Sequence, residues 1–128
     1  MSLPVGVIRK AIENAEKSQH PKARVGGVVF KSSRILSEGM NDLRSFQAIP
    51  DHYTKYSHSL HAEIAAILNA EKRVKGYNIL VIRIDLQGNL KLAKPCKWCS
   101  ESVRHFGLKN VYYSTDSGEI VKSRAKSL

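Results

Sequence analysis

The chain has 128 residues, 42% of them hydrophobic and 25% charged, and a formal net charge of +10. That length predicts a single domain over residues 1–128, able to bury a core without disulfides; two cysteines, Cys96 and Cys99, exclude a disulfide-stapled scaffold. No apolar run approaches a membrane span, and the start lacks a basic stretch followed by a long apolar segment, so a soluble cytoplasmic protein with no membrane association is expected.

Residues 4–19 read as a helix, with Val5, Ile8, Ile12 and Ala15 recurring at helical spacing, and Pro21 closing the segment. Val25 to Phe30 and Ile35 to Met40 form a predicted hairpin around Lys31-Ser32-Ser33-Arg34, with Gly26-Gly27 permitting close backbone approach. Residues 41–58 show no periodicity. A loop of this length, carrying Arg44, Pro50, His52, Tyr53, Tyr56 and His58, suits a lid or binding loop better than a tolerated insertion.

Leu60 to Glu71 is the second helix, buried along Ile64, Ile67, Leu68 and its alanines. Asn78 to Ile84 carries a nearly continuous apolar run, which suits a central strand covered on both faces. Gln87-Gly88-Asn89 turns the chain. Cys96 to Phe106 is the third helix, ended by Gly107, with Cys99, Val103 and Phe106 on its inner face. Val111 to Ser114 and Glu119 to Val121 flank the turn Asp116-Ser117-Gly118, and the basic tail Lys122 to Leu128 is expected to fray. The order α-β-β-α-β-α-β-β implies an α/β fold: a three-layer α-β-α sandwich around a mixed five-stranded sheet with a C-terminal hairpin.

Two short motifs carry chemistry. His61, Cys96 and Cys99 supply one imidazole and two thiolates, the three ligands of a catalytic zinc site whose fourth position is left to water. Cys96 and Cys99 lie at a helix start, where the backbone amides favour thiolates. Glu63, two residues after His61, reaches the open position without being a ligand, as a general acid and base must. Other readings remain open. Cys96 and Cys99 fit the spacing of a redox dithiol, although Pro95 and Trp98 do not reproduce a thioredoxin-like setting. A closed structural zinc site would take a fourth ligand from His20, His52, His58 or His105. His61 alone is compatible with a structural histidine, and Glu63 alone with a favourable charge at a helix N-terminus.

Taken together, His61-Ala62-Glu63 opening one helix, then a strand, then Pro95-Cys96-Lys97-Trp98-Cys99 opening the next, resemble the signature of the cytidine and deoxycytidylate deaminase superfamily, which also contains the tRNA adenosine deaminases. The resemblance runs from about Ala11 to Ser123. It implies the cytidine deaminase-like fold, Zn2+ on His61, Cys96 and Cys99, and Glu63 as the proton shuttle. It also implies that the Ala62 amide holds the base carbonyl, the Lys94 carbonyl faces the leaving amino group and Asn41 touches the sugar, with a homo-oligomer as the usual assembly.

Two features pull apart. His61 in place of a third cysteine matches nucleotide and nucleic-acid deaminases, whereas the closing hairpin leaves no room for the helix those enzymes usually carry between their last strands. The leading expectation is hydrolytic deamination of cytosine in a free nucleoside or nucleotide, a small-molecule substrate whose phosphate has Arg24, Arg44, Lys55 and Lys94 as candidate partners. The alternatives are a deaminase of cytosine or adenine in single-stranded DNA or RNA, for which the positive charge and the rings of His52, Tyr53 and Tyr56 speak, and a non-catalytic zinc module binding nucleic acid.

Overall fold

The computed structural model describes residues 3–18, 23–41 and 61–128. Helix α1 spans Val5–Lys17, strand β1 Arg24–Lys31, β2 Arg34–Met40, α2 Ala62–Asn69, β3 Asn78–Ile84, β4 Leu90–Lys91, α3 Lys97–His105, β5 Asn110–Ser114 and β6 Ile120–Arg124, followed by a 3-10 turn at Ala125–Ser127. The expected order holds. The sheet has six strands rather than five, because two residues after the Gln87-Gly88-Asn89 turn add β4 as a short edge piece. The segment read as a lid, with Arg44 and Lys55, lies outside the described residues beyond Asn41.

The strands run in the order β2-β1-β3-β5-β6, with β4 pairing β3 beyond the end of β5. β3 is antiparallel to β1 and parallel to β5, and α3 lies in the crossover between β3 and β5. β5 and β6 form the predicted antiparallel hairpin. Ser114 is the joint at which β3 changes partner on that side. Its hydroxyl accepts from the Arg83 amide at 3.0 Å and donates to the Lys91 carbonyl at 2.6 Å, while its own carbonyl accepts from Ala93 at 2.9 Å.

Side chains alternate across the sheet and build two cores. Val28, Phe30, Leu80, Ile82 and Tyr112 pack with Val7, Ala11 and Ala15 of α1 on one face. Val29, Ile79, Val81 and Val111 pack with Ala66 and Ile67 of α2 and Val103 of α3 on the other. Ile79, Leu80, Val81 and Ile82 are each no more than 1% exposed, which confirms β3 as a central strand. Each such side chain contributes roughly 1.5–3 kcal/mol of burial.

Gly26 and Gly27 set the spacing of the three layers. A Cβ on Gly26 would lie 2.2 Å from the Ala11 carbonyl oxygen of α1, and one on Gly27 would lie 3.1 Å from the Ala62 carbonyl oxygen at the start of α2. This close approach shifts the buried stripe of α1 from the one expected. Val7, Ala11, Asn14 and Ala15 face inward, whereas Val5 is 69% exposed. Small residues are required where helix and strand backbones touch, so the alanines take the inner face. Asn14 is buried because its side chain donates to Lys10 O and to Glu38 Oε1 of β2, both at 2.9 Å.

The fraying expected of the tail does not occur. β6 continues to Arg124, Ala125 is buried in the α2–α3 core, and Arg104 donates to the Leu128 carbonyl at 2.9 Å. An alanine between basic residues gives no signal in the sequence, but it fills the space beside Leu108 and Val111.

Candidate active site

His61 precedes the first turn of α2 in extended conformation, and its side chain accepts no capping bond from that helix; its ring Nδ1 instead meets Cys99 Sγ of α3. Cys96 holds the same position at α3, where its Sγ accepts from the Cys99 amide at 3.4 Å and its carbonyl accepts from Ser100 at 2.8 Å. Cys99, one turn on, is fully buried against Ile64 of α2. Both helix starts thus meet near the carboxyl end of β3, the place where open α/β sheets form their crevices.

The candidate ligand atoms of His61, Cys96 and Cys99 lie within 4.8 Å of one another, and His61 Nδ1 is 2.9 Å from Cys99 Sγ. The donor set is an imidazole and two thiols, which is zinc chemistry. The Cys99 thiol beside it, together with His61, lowers the Cys96 thiol to about 3. Its interaction with Cys96, and burial, push Cys99 upward. The hydrogen bond to Cys96 raises His61 against the opposing effect of burial. A thiolate is therefore already stabilised at one ligand position. Among the described residues the cluster comprises these three groups, and His105 is exposed at the far end of α3, away from it.

Glu63, in the first turn of α2, is 5% exposed. Burial raises its carboxyl above the ordinary carboxylate value, with His61 pulling the other way. That environment suits a group that must both accept and return a proton near neutral pH.

A cavity of about 250 Å³ opens over this cluster, near the lower end of small-molecule sites, ~300–1,000 Å³. Six residues singled out in the sequence line it: Asn41, His61, Ala62, Glu63, Lys94 and Cys96. Ala62 opens α2, so its amide belongs to the first-turn donors that have no partner inside the helix. The Asn41 side chain is closely held: Oδ1 accepts from Ser18 Oγ at 2.5 Å and Val25 N at 2.9 Å, and Nδ2 donates to Ala23 O at 2.6 Å. It ties the end of β2 to the start of β1 at the cavity wall.

Arg24 is not brought to the cavity. It has the same strand parity as Gly26, which faces α1, and its Nη2 donates to the Asp85 carbonyl at 2.6 Å. The residues not singled out are Ala23, Val25, Val81, Arg83, Leu92 and Ala93. Most are apolar wall. Arg83 is the exception; strand alternation alone would have placed it on the Val81 face, had the site been known to lie there.

Two helix starts bring an imidazole and two thiols beside a buried carboxyl on an α/β sheet, and among the described residues these three groups could hold a metal ion. Residues 2–115 match the cytidine and deoxycytidylate deaminase zinc-binding region, and the chain belongs to this family. An Aliivibrio fischeri relative, described as an uncharacterized deaminase in luxG 3'region, is 30% identical over 99 residues, 74% of this chain; the match spans 60% of that relative's length.

Among solved structures, the chain is similar to the cytidine deaminase of Burkholderia pseudomallei, with TM-score 0.67 and 18% identity over 94% of this chain and 91% of that one. It is also similar to the dCMP deaminase of cyanophage S-TIM5, with TM-score 0.55 and 22% identity over 87% and 84%. A diaminohydroxyphosphoribosylaminopyrimidine deaminase/5-amino-6-(5-phosphoribosylamino)uracil reductase from Thermotoga maritima matches with TM-score 0.56 and 26% identity over 84% of this chain and 28% of that one. Among the described residues, no helix is long and apolar enough to cross a membrane.

Proposed function

We propose that the chain is a zinc-dependent hydrolytic deaminase of cytosine in a free nucleoside or nucleotide. The observation that carries this reading is the buried Glu63 carboxyl lining one cavity with His61, Cys96 and the start of α2. Zinc held by His61, Cys96 and Cys99 would supply Lewis acidity that makes water nucleophilic near neutral pH.

The chain's own groups do the rest. The Ala62 amide, aimed from the helix start, binds the base carbonyl, and the apolar faces of Val25 and Val81 hold the ring and exclude water. Glu63 takes a proton from the attacking water, places it on the ring nitrogen N3, and passes the second proton to the departing amino group. Water is consumed, the C4–N bond breaks and ammonia leaves, giving the uracil form. The Lys94 carbonyl, preceding Pro95, faces that leaving amino group, and Asn41 borders the sugar.

The closing β5–β6 hairpin favours a mononucleoside-sized substrate over a polynucleotide. A second reading, a polynucleotide substrate, has one observation in its favour: Lys109, Arg124 and Lys126 converge on a shallow basic depression at the other end of the sheet. Assay of ammonia release from cytosine, cytidine, deoxycytidine, their monophosphates, guanine and short single-stranded oligonucleotides separates the two. Turnover confined to oligonucleotides, or to guanine, removes the leading reading.

A further inference from the structure

Among the described residues lining the cavity, Arg83 is the one cation carried by a strand of the sheet. It sits near the carboxyl end of β3, on the same face as Val81, and lines the cavity with Glu63 and Lys94. Its Nε is buried and has no hydrogen-bond partner among the described residues. A buried donor without a partner is rare and costly in native proteins unless a ligand or water completes it.

Among the described acids of the adjoining turns, the carboxylates are turned to backbone amides. Asp85 directs Oδ1 to the amides of Gln87 and Asn89, and Asp116 directs Oδ1 to the Leu92 amide, each at 2.9 Å. Glu63 is the sole carboxylate among the described residues lining the cavity. Lys91, directly opposite Arg83 in the β3–β4 register, points to the same face, and Lys94 follows on the rim. This end of the cavity is therefore cationic and carries an unsatisfied planar donor, which matches an oxyanion. Arg24 is the useful contrast: its Nε is also orphaned, but its Nη2 is committed to Asp85 O and it does not line the cavity.

We infer that Arg83 is the specificity-determining residue that binds a phosphate group on the substrate, so that the preferred substrate is a cytosine nucleoside monophosphate rather than the free nucleoside. The inference rests on the cytosine reading above only for the base; the anion subsite is defined by Arg83 itself.

The test has two arms, each run on the metal-loaded chain and on Arg83→Ala, Arg83→Lys and Arg83→Gln, with circular dichroism and metal content confirming folding. In the first, inorganic phosphate is titrated by calorimetry. Binding is expected in the wild type, weaker in Arg83→Lys, which lacks the planar fork, and absent in Arg83→Ala and Arg83→Gln. In the second, kcat/KM is measured for cytidine and deoxycytidine and for their monophosphates. The monophosphate-to-nucleoside ratio is expected to fall about 10- to 100-fold in Arg83→Ala, mainly through KM, and the wild-type ratio to shrink with added salt. An equal loss on both substrate types, or phosphate binding that ignores the substitutions, overturns the assignment. Arg83-dependent phosphate binding without turnover of any cytosine compound leaves the subsite standing and removes the cytosine reading. Cytosine turnover without any Arg83-dependent phosphate effect does the reverse.

Discussion

Glu63 and Cys99 are both deeply buried; burial raises the Glu63 carboxyl, whereas the hydrogen bond with Cys96, and then burial, raises the Cys99 thiol. Cys99 shares its environment with a thiol already lowered to about 3 at Cys96, so the pair is arranged to hold a cation. Glu63 faces the cavity beside that pair and is arranged to hold a proton. Replacing Glu63 with Gln keeps the shape and removes the titrating oxygen. Turnover is expected to fall by roughly 10²–10⁴-fold with zinc per chain unchanged by elemental analysis. Activity that survives with metal in place would contradict the assigned shuttle.

The convergence of His61, Glu63, Cys96 and Cys99 was legible because the two motifs set residue type and spacing locally: two positions from His61 to Glu63, three from Cys96 to Cys99. Arg83 was not legible, because an arginine within Ile79-Leu80-Val81-Ile82-Arg83-Ile84 declares nothing until the site's face is known. Arg24 illustrates the same point from the other side. It is a plausible phosphate partner by charge, and strand parity sends it to the opposite layer.

At the level of elements, the hairpin joining β3 to β4 is organised by Asp85, whose carboxylate accepts from the amides of Asn89 and Gln87. These bonds, that of Asn89 foremost, hold its carboxyl below the usual value. A lowered folded value means stability that is present above the unfolded carboxylate pKa, about 3.9, and lost as pH falls through the folded one. Asp85→Asn keeps an acceptor oxygen and drops the charge. Its melting temperature should sit below wild type at neutral pH, with the gap closing under strongly acid conditions; a gap independent of pH would argue against the charge.

The α1–β1 contact gives a larger effect. Gly26→Ala places a methyl against backbone atoms of Ala11 and Ala15, which cannot rotate away. A loss of about 3 kcal/mol is expected as a lower urea midpoint at unchanged slope. The Gly26-Gly27 pair announced this approach in the sequence. The stripe of α1 did not, because Val5, Val7, Ile8, Ala11, Ile12 and Ala15 supply apolar residues on more than one side, and only the contact with Gly26 decides which face turns inward.

At the scale of the whole molecule, the three candidate ligands come from the starts of two helices, α2 and α3, that are far apart in the chain, so an ion held there would bind the folded chain and not the unfolded one. Chelation at neutral pH is therefore expected to lower the melting temperature, and zinc at 100-fold above its Kd to restore about 2.7 kcal/mol. A melting curve indifferent to chelator, with metal loss verified, would show that α2 and α3 do not need the ion. The layer order and the closing hairpin were readable because each follows from a local pattern and its connections. The two-residue β4 and the docked tail were not, since both depend on partners brought in from distant parts of the chain, Ser114 in one case and the α2–α3 core in the other.

The backbone contacts at Gly26 and Gly27 also bear on how this scaffold can change. At Gly26 and Gly27 no side chain separates β1 from the helices on either side, so the position of α2's start, and with it His61, is inherited from main-chain geometry. Selection for a new substrate, in nature or in a mutant library, has little to vary there without unfolding the chain. Among the described residues, the cavity rim has more room to change, at Arg83 and the stretch Leu92 to Lys94, where side chains can be exchanged without moving the backbone contacts at Gly26 and Gly27.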